Sequence, residues 1–278
     1  MAPNAINTSG HRLPVVLSIA GSDCSGGAGI QADIKTCSEF GVYCMTVITA
    51  VTAQNPAGVA RVDYVGADML RSQLECIASS LRPDAIKTGM LPCAEGVEIV
   101  ADFIERNKWE NVVVDPVLKA TSGGSLSGNS QPTAEAAKRL LFPLATVVTP
   151  NIPELYSLSG LKNNVGTDEA AREFMSRHQI NAVLVKGGHS DGDECTDSLY
   201  YSNGTESSFS AIRIDSDHTH GTGCTLSSAI ACGLASGKSL DESVALAKRF
   251  ITGAIRRGLS YRLFPANGPL CHFDPTKH

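Results

Sequence analysis

Short runs rich in β-branched apolar residues alternate along this chain with segments of helical period, and no other feature restricts the fold as tightly. The runs PVVLSIA (14–20), VYCMTVITA (42–50), DAIKTGM (84–90), NVVVDPV (111–117), ATVVTP (145–150) and NAVLVKGG (181–188) are separated by stretches such as GIQADIKTCSEF (29–40) and CAEGVEIVADFIERN (93–107). Strands that are apolar without alternation are covered on both faces, so the pattern predicts a mostly parallel central sheet between two helical layers, an α/β fold. Ile30, Ile34 and Cys37 mark the inner face of the first helix; Leu240, Val244, Ala247, Ile251 and Ile255 mark that of the last. Two stretches leave the α/β alternation: GVARVDYV (58–65), placed to cover a site as a small β lid, and SLYYSNGTESSFSAIRI (198–214) around an Asn203-Gly204 turn. With 278 residues, 42% of them hydrophobic, the chain suits one large domain over 14–278 after a flexible tail, 1–13. The Gly/Ser-rich stretch 121–133 reads as a mobile loop within that domain.

The formal charge of −5 and an aromatic content of 5% supply neither a basic footprint for nucleic acid nor platforms for base stacking. Apolar runs stay short of the roughly 18–20 residues of a membrane span, and the N-terminus lacks a signal-like apolar region. The expectation is a soluble cytoplasmic protein with neither membrane nor nucleic-acid partners, with organellar import left open by the first dozen residues. The nine cysteines are odd in number and contain no C-x-x-C pair, so they read as free thiols in a reducing compartment.

Ligands of open parallel sheets bind beyond the carboxyl ends of the strands, and there this chain carries GSDCSGGAG, TAQN, KTGM, DPV, TPNIPE and KGGH. GAGIQA (27–32) fits a dinucleotide-binding spacing but starts late after its strand and lacks the acidic residue about 20 positions on; no P-loop motif occurs. THGTGCTLSSAIA (219–231) remains. Thr219 or Thr222 can cap a helix there, or Gly221, Thr222 and Gly223 can bring unpaired N–H groups and a positive helix end onto an anion. Asp115, Asn151 and Glu154 each suit a turn or a cap, and together they offer oxygen ligands for a hydrated Mg²⁺. Lys186, apolar on one side and glycine-flanked on the other, is expected to reach into a cleft and neutralise phosphate. Cys224, at the helix start, is expected to have a lowered pKa and to be partly thiolate near neutral pH.

AGSDCSGGAGIQADIKT, VITAVTAQN, KTGML, VVDPV, TPNIPE, VLVKGGH, HTHGTGCTLSSAIA and NGPLCHF, in this order between Pro14 and Phe273, together resemble the hydroxymethylpyrimidine and phosphomethylpyrimidine kinases of the ribokinase-like superfamily. The resemblance implies a three-layer α/β/α domain with a small β lid, a homodimer, and ATP as co-substrate with Mg²⁺. It implies Gly21, Ala28, Asp33, Gln54, Met90 and Val117 at the pyrimidine, Asn151, Glu154, Lys186 and Thr219 at ATP, and Asp115 with Glu154 at the metal. It implies the catalytic base at Cys224, with Gly221, Thr222 and Gly223 as the anion hole. Lys119 departs from the family pattern, at a usually apolar position, and no fused thiamin-phosphate synthase domain is recognisable.

The implied activity phosphorylates 4-amino-5-hydroxymethyl-2-methylpyrimidine and then its monophosphate, in thiamine biosynthesis. Competing readings are a pyridoxal or pyridoxine kinase, an enzyme using Cys224 as a nucleophile activated by His218 or His220, and a non-catalytic pyrimidine-binding sensor.

Overall fold

Among the described residues nine strands form one sheet, in the order β3-β2-β1-β4-β5-β6-β7-β8-β9. They are β1 (Val15–Asp23), β2 (Tyr43–Asn55), β3 (Gly58–Tyr64), β4 (Ala85–Thr88), β5 (Val112–Val114), β6 (Val147–Val148), β7 (Ala182–Val185), β8 (Glu194–Tyr201) and β9 (Glu206–Ile212). From β2 through β7 every pairing is parallel, and antiparallel hairpins close both edges. This computed structural model describes residues 12–117, 130–162, 164–187, 192–261, 264 and 267–273.

Helices on both faces account for the unbroken apolar runs. Within β5, Val112 and Val114 belong to one buried cluster and Val113 to the other. The first cluster includes residues of α2 (Ala67–Ser80), α3 (Ala94–Arg106), α5 (Ile152–Ser159) and α6 (Thr167–His178). The second includes residues of α1 (Gly29–Glu39), α7 (Thr222–Ala235) and α8 (Leu240–Ser260). Hydrophobic burial of side chains such as Leu17, Ile19 and Ile86, all 0% exposed, stabilises the layers by about 1.5–3 kcal/mol per side chain.

The α8 stripe packs as expected, with Val244, Ala247 and Ile251 buried and Leu240 and Ile255 against them. The α1 stripe is corrected. Ile34 is 40% exposed, and the inner face is Ile30, Ala32, Asp33, Thr36 and Cys37. A buried carboxylate holds a place that apolar periodicity assigns to hydrocarbon, because a lysine on β4 neutralises it.

GVARVDYV forms β3, the outer strand of a hairpin with an extended β2, and SLYYSNGTESSFSAIRI supplies parts of β8 and β9 around the expected Asn203-Gly204 turn. Residues 130–133 begin α4 (Ser130–Ala136), whereas 121–129 and Lys119 lie outside the described residues. Of the tail, only Arg12 and Leu13 are described, and Arg12 donates to Asp84 and to the carbonyl of Arg82. Among the described residues no helix is long and apolar enough to cross a membrane.

Because β1 has β2 on one side and β4 on the other, connections leave β1 in opposite directions. Sheets with such a reversal bind ligands at the carboxyl ends of their strands.

Candidate active site

A cleft of about 440 Å³ lies at that edge. Asp115 follows β5, Asn151 follows β6 and Lys186 follows β7, and all three line it. Lys186 Nζ donates to Asp115 Oδ1 at 2.9 Å and lies 3.9 Å from Glu154 Oε2. Asp115 Oδ1 also accepts from Thr149 Oγ1 at 3.3 Å. Burial alone depresses a lysine pKa, but Asp115 and Glu154 outweigh it and hold Lys186 above the ordinary value, so it is charged. Asn151 and Glu154 form the capping box of α5: Glu154 N donates to Asn151 Oδ1 and Asn151 N to Glu154 Oε2, each at 2.8 Å. The turn that caps the helix thereby fixes a carboxylate at the cleft.

The start of α7 forms the facing wall. Gly221 is its N-cap, in the left-handed region at φ 86°, and no side chain caps the helix. Of the two sequence readings, the capped start is therefore not the one found: Thr222 Oγ1 turns back to the carbonyl of Thr219, and neither threonine caps α7. The N–H of Thr222 donates to the carbonyl of Thr219 at 3.2 Å, so what the helix start offers an anion is the N–H groups that follow Thr222 and the positive end of the helix. A Cβ on Gly223 would lie 3.4 Å from Asp115 Oδ2 and 3.5 Å from Lys186 Nζ, so glycine keeps this space clear between backbone and charge.

Cys224 lines the same cleft, half-buried. Its thiol is not acidified. Burial pushes it up to about 11; Lys87 opposes the rise, while the charges of Asp33 and Asp115 add to it. The expected partial thiolate is thus corrected, because the helix end acts within a site whose desolvation and two nearby carboxylates favour the neutral form.

The residues expected at the pyrimidine divide. Ala28 and Val117 line the cleft. Val117 also packs on the Ala50–Met90 cluster, and a Cβ on Gly21 would fall 2.6 Å from Met90 Cε, so Gly21, Met90 and Val117 make one contiguous surface. Gln54 is half-buried near the end of β2, its carbonyl accepting from Cys24 Sγ at 3.2 Å. Gly21, Gln54 and Met90 lie outside the cleft lining, as does Asp33, which is also fully buried. Its carboxylate is taken by Lys87 Nζ at 2.9 and 3.0 Å, Ser18 Oγ at 2.5 Å and Ser228 Oγ at 2.6 Å. Thr219 lines the cleft. Neither His218 nor His220 is hydrogen-bonded to Cys224; their ring nitrogens meet Gly268 N and Asp23, which removes the geometry a Cys–His nucleophile needs.

With this site in view, the profile of the phosphomethylpyrimidine kinase family matches residues 23–270. The chain belongs to the phosphomethylpyrimidine kinase family. It is 45% identical over 262 residues to the hydroxymethylpyrimidine/phosphomethylpyrimidine kinase of Rhizobium meliloti, covering 93% of this chain and 97% of that one. An ADP complex of the pyridoxal kinase of Bacillus subtilis superposes with a TM-score of 0.84 at 37% identity, covering 94% and 98% of the two chains. The phosphomethylpyrimidine kinase of Clostridium difficile gives 0.75 at 38% identity, over 87% and 99%.

Chemistry of a phosphomethylpyrimidine kinase implies Mg²⁺, and the donors present suit it. Asp115 and Glu154 carry hard carboxylate oxygens of the kind Mg²⁺ takes, and Mg²⁺ bound with phosphates keeps waters and uses only one or two carboxylates. Among the described residues no group of three or more His, Cys, Asp or Glu is arranged to hold a metal alone, which such an ion does not require.

Three charged pairs in or behind this cleft escape sequence reasoning. Lys87, 0% exposed, sits inside the quoted KTGM. Asp197 accepts from Gly187 N at 2.9 Å and Lys248 Nζ at 2.8 Å, and both Asp197 and Lys248 line the cleft. Asp23 pairs with His220. Each partner is remote in sequence, so only the positions of KTGM and HTHGTGC beyond strand ends hinted at a role.

Proposed function

We propose that this protein transfers the γ-phosphoryl of MgATP first to the hydroxymethyl group of 4-amino-5-hydroxymethyl-2-methylpyrimidine and then to the resulting monophosphate. One observation carries the reading: the uncapped start of α7, the Lys186–Asp115 pair and Cys224 face a single cleft. Phosphoryl transfer has a loose transition state, so positioning and charge stabilisation dominate its catalysis.

N–H groups at the start of α7 hold the transferring phosphoryl, and Lys186 neutralises charge beside it. The apolar end of the cleft, with Ile212, Leu226, Ile251 and Ile255, takes the adenine. Gly21, Met90 and Val117 present an apolar surface to the pyrimidine ring, and the Gln54 carboxamide, both donor and acceptor, answers its nitrogen and amino group. Asp115 and Glu154 would hold Mg²⁺, which would supply neutralisation of phosphate charge there.

Cys224 accepts the proton of the alcohol. With burial pushing its pKa up to about 11, the thiol is overwhelmingly neutral at pH 7, so the first transfer speeds up as pH rises. The second acceptor is already an anion and does without the base.

Incubating the protein with MgATP and hydroxymethylpyrimidine, and resolving mono- and diphosphate over time, tests the proposal: both products form in sequence. A protein that binds the pyrimidine without turnover would be a sensor instead. The likeness to the pyridoxal kinase of Bacillus subtilis favours pyridoxal as the second candidate acceptor. Turnover of pyridoxal without turnover of the pyrimidine monophosphate would select it.

A further inference from the structure

Two glycine-rich loops meet beneath the cleft, and one pair of side chains joins them. Asp23 ends β1. Its Oδ1 accepts from Ser25 N and Ser25 Oγ, both at 2.8 Å, and its Oδ2 from Ala28 N at 2.8 Å and Gly27 N at 3.1 Å. These bonds fold the loop that delivers Ala28 to the cleft. One more crosses 197 residues of sequence: His220 Nε2 lies 2.9 Å from the same Oδ2. His220 belongs to the loop that delivers Gly221, Thr222, Gly223 and Cys224.

The junction has no slack. A Cβ on Gly27 would lie 2.4 Å from His220 Cδ2, and one on Gly221 would lie 1.9 Å from the carbonyl oxygen of Gly27. From behind, His220 N donates to Gly268 O at 3.3 Å, and Gly268 N donates to His218 Nδ1 at 2.9 Å. Both members of the pair are buried, Asp23 at 1% and His220 at 6% exposure. A charge-assisted bond at this depth is stronger than an exposed one and is held to one geometry.

We infer that Asp23 and His220 are positioning residues which hold the acceptor-side loop and the phosphoryl-side loop in a single register, so that both phosphoryl transfers depend on them. The inference rests on the reading of 221–224 as the phosphoryl site. It differs from the role of Cys224, which serves one step. It also differs from a purely stabilising pair, since displacing reacting groups by 1 Å costs on the order of 10²-fold in rate.

The test uses the full-length protein and the variants His220→Ala and His220→Gln, the second keeping an amide N–H able to reach Asp23. Turnover of hydroxymethylpyrimidine and of its monophosphate is measured, together with backbone hydrogen exchange over 24–29 and 219–224. In His220→Ala, kcat falls by roughly 10–100-fold and by the same factor for both acceptors, while both loops exchange faster together; His220→Gln recovers most of both. Unchanged kcat in folded His220→Ala, a loss confined to the alcohol step, or loosening of one loop alone overturns the inference. Should His220→Ala not fold, His220→Met, of similar length without a donor, takes its place against His220→Gln. If the unaltered protein phosphorylates neither acceptor, the proposed function fails. The exchange data still decide the pair: joint loosening supports the coupled register and single-loop loosening refutes it.

Discussion

Two lysine–aspartate pairs share this molecule at the same 2.9 Å separation and in opposite settings. Lys87–Asp33 is sealed, both side chains 0% exposed; Lys186–Asp115 opens onto the cleft, at 16% and 3%. In the sealed pair the remaining carboxylate capacity is spent on the hydroxyls of Ser18 and Ser228. In the open pair Asp115 Oδ2 faces the start of α7 across the space a side chain at 223 would fill. One chemical unit therefore does two jobs. The sealed pair ties α1, β4 and α7 together behind Cys224; the open pair keeps charge in reserve for a ligand.

Removing one partner of a sealed pair strands a buried charge, so Lys87→Met lowers stability by about 3–5 kcal/mol in urea denaturation. Adding Asp33→Leu recovers most of that loss; a single-variant loss below about 1 kcal/mol would erase the contrast. Lys186→Met does the reverse. Its kcat/KM falls roughly 10²–10³-fold, the scale of one lost transition-state donor, while its stability falls by less than that of Lys87→Met because Asp115 can be solvated from the cleft. Equal stability losses would show that the two settings are alike.

A smaller effect sharpens the open side. Gly223→Ala sets a methyl group against both Asp115 and Lys186, 3.4 and 3.5 Å away, and it raises the KM for ATP about tenfold without loss of stability, since alanine suits a helix better than glycine. A fall in stability with an unchanged KM would mean that the space is not used by ligand.

Much of the architecture was legible because β-strand burial is a local signal. Val112, Val113 and Val114 are apolar in sequence because opposite helical layers cover them alternately, and Asn203-Gly204 marks its turn by backbone preference alone. The cleft residues Asp115, Asn151, Glu154, Lys186 and Thr219 could be found by their places after strand ends. The setting of Asp33 is not legible, since a carboxylate facing a ligand and one facing a buried lysine look alike until a residue 54 positions away is placed beside it. Ile34 is exposed because the buried face of α1 runs through Asp33 instead. The acidity of Cys224 was misjudged because a helix end is visible in sequence and the desolvation that overrides it is not.

The weakest expected effect concerns acid. Burial raises the pKa of Asp23, but hydrogen bonds from His220, Ser25 and Ala28 more than offset this and lower it from 3.8 to about 2. A depressed carboxylate contributes stability that is fully present above its unfolded value and lost as pH falls through the folded one. Denaturation followed between pH 4 and pH 2 therefore shows a smaller loss in Asp23→Asn than in the unaltered protein; equal slopes would remove Asp23 from the account.

The central claim is that one cleft performs two phosphorylations and needs its thiol for only one. Single-turnover rates of Cys224→Ala with hydroxymethylpyrimidine and with its monophosphate, set beside those of the unaltered protein, test it most directly. The account predicts a loss of roughly 10²–10⁴-fold in the alcohol step, the range of general-base catalysis, with the phosphate step within a few-fold of normal. The rise of the alcohol step with pH disappears in the variant. Equal losses in both steps, or none in the first, would contradict the assignment of Cys224 as the base.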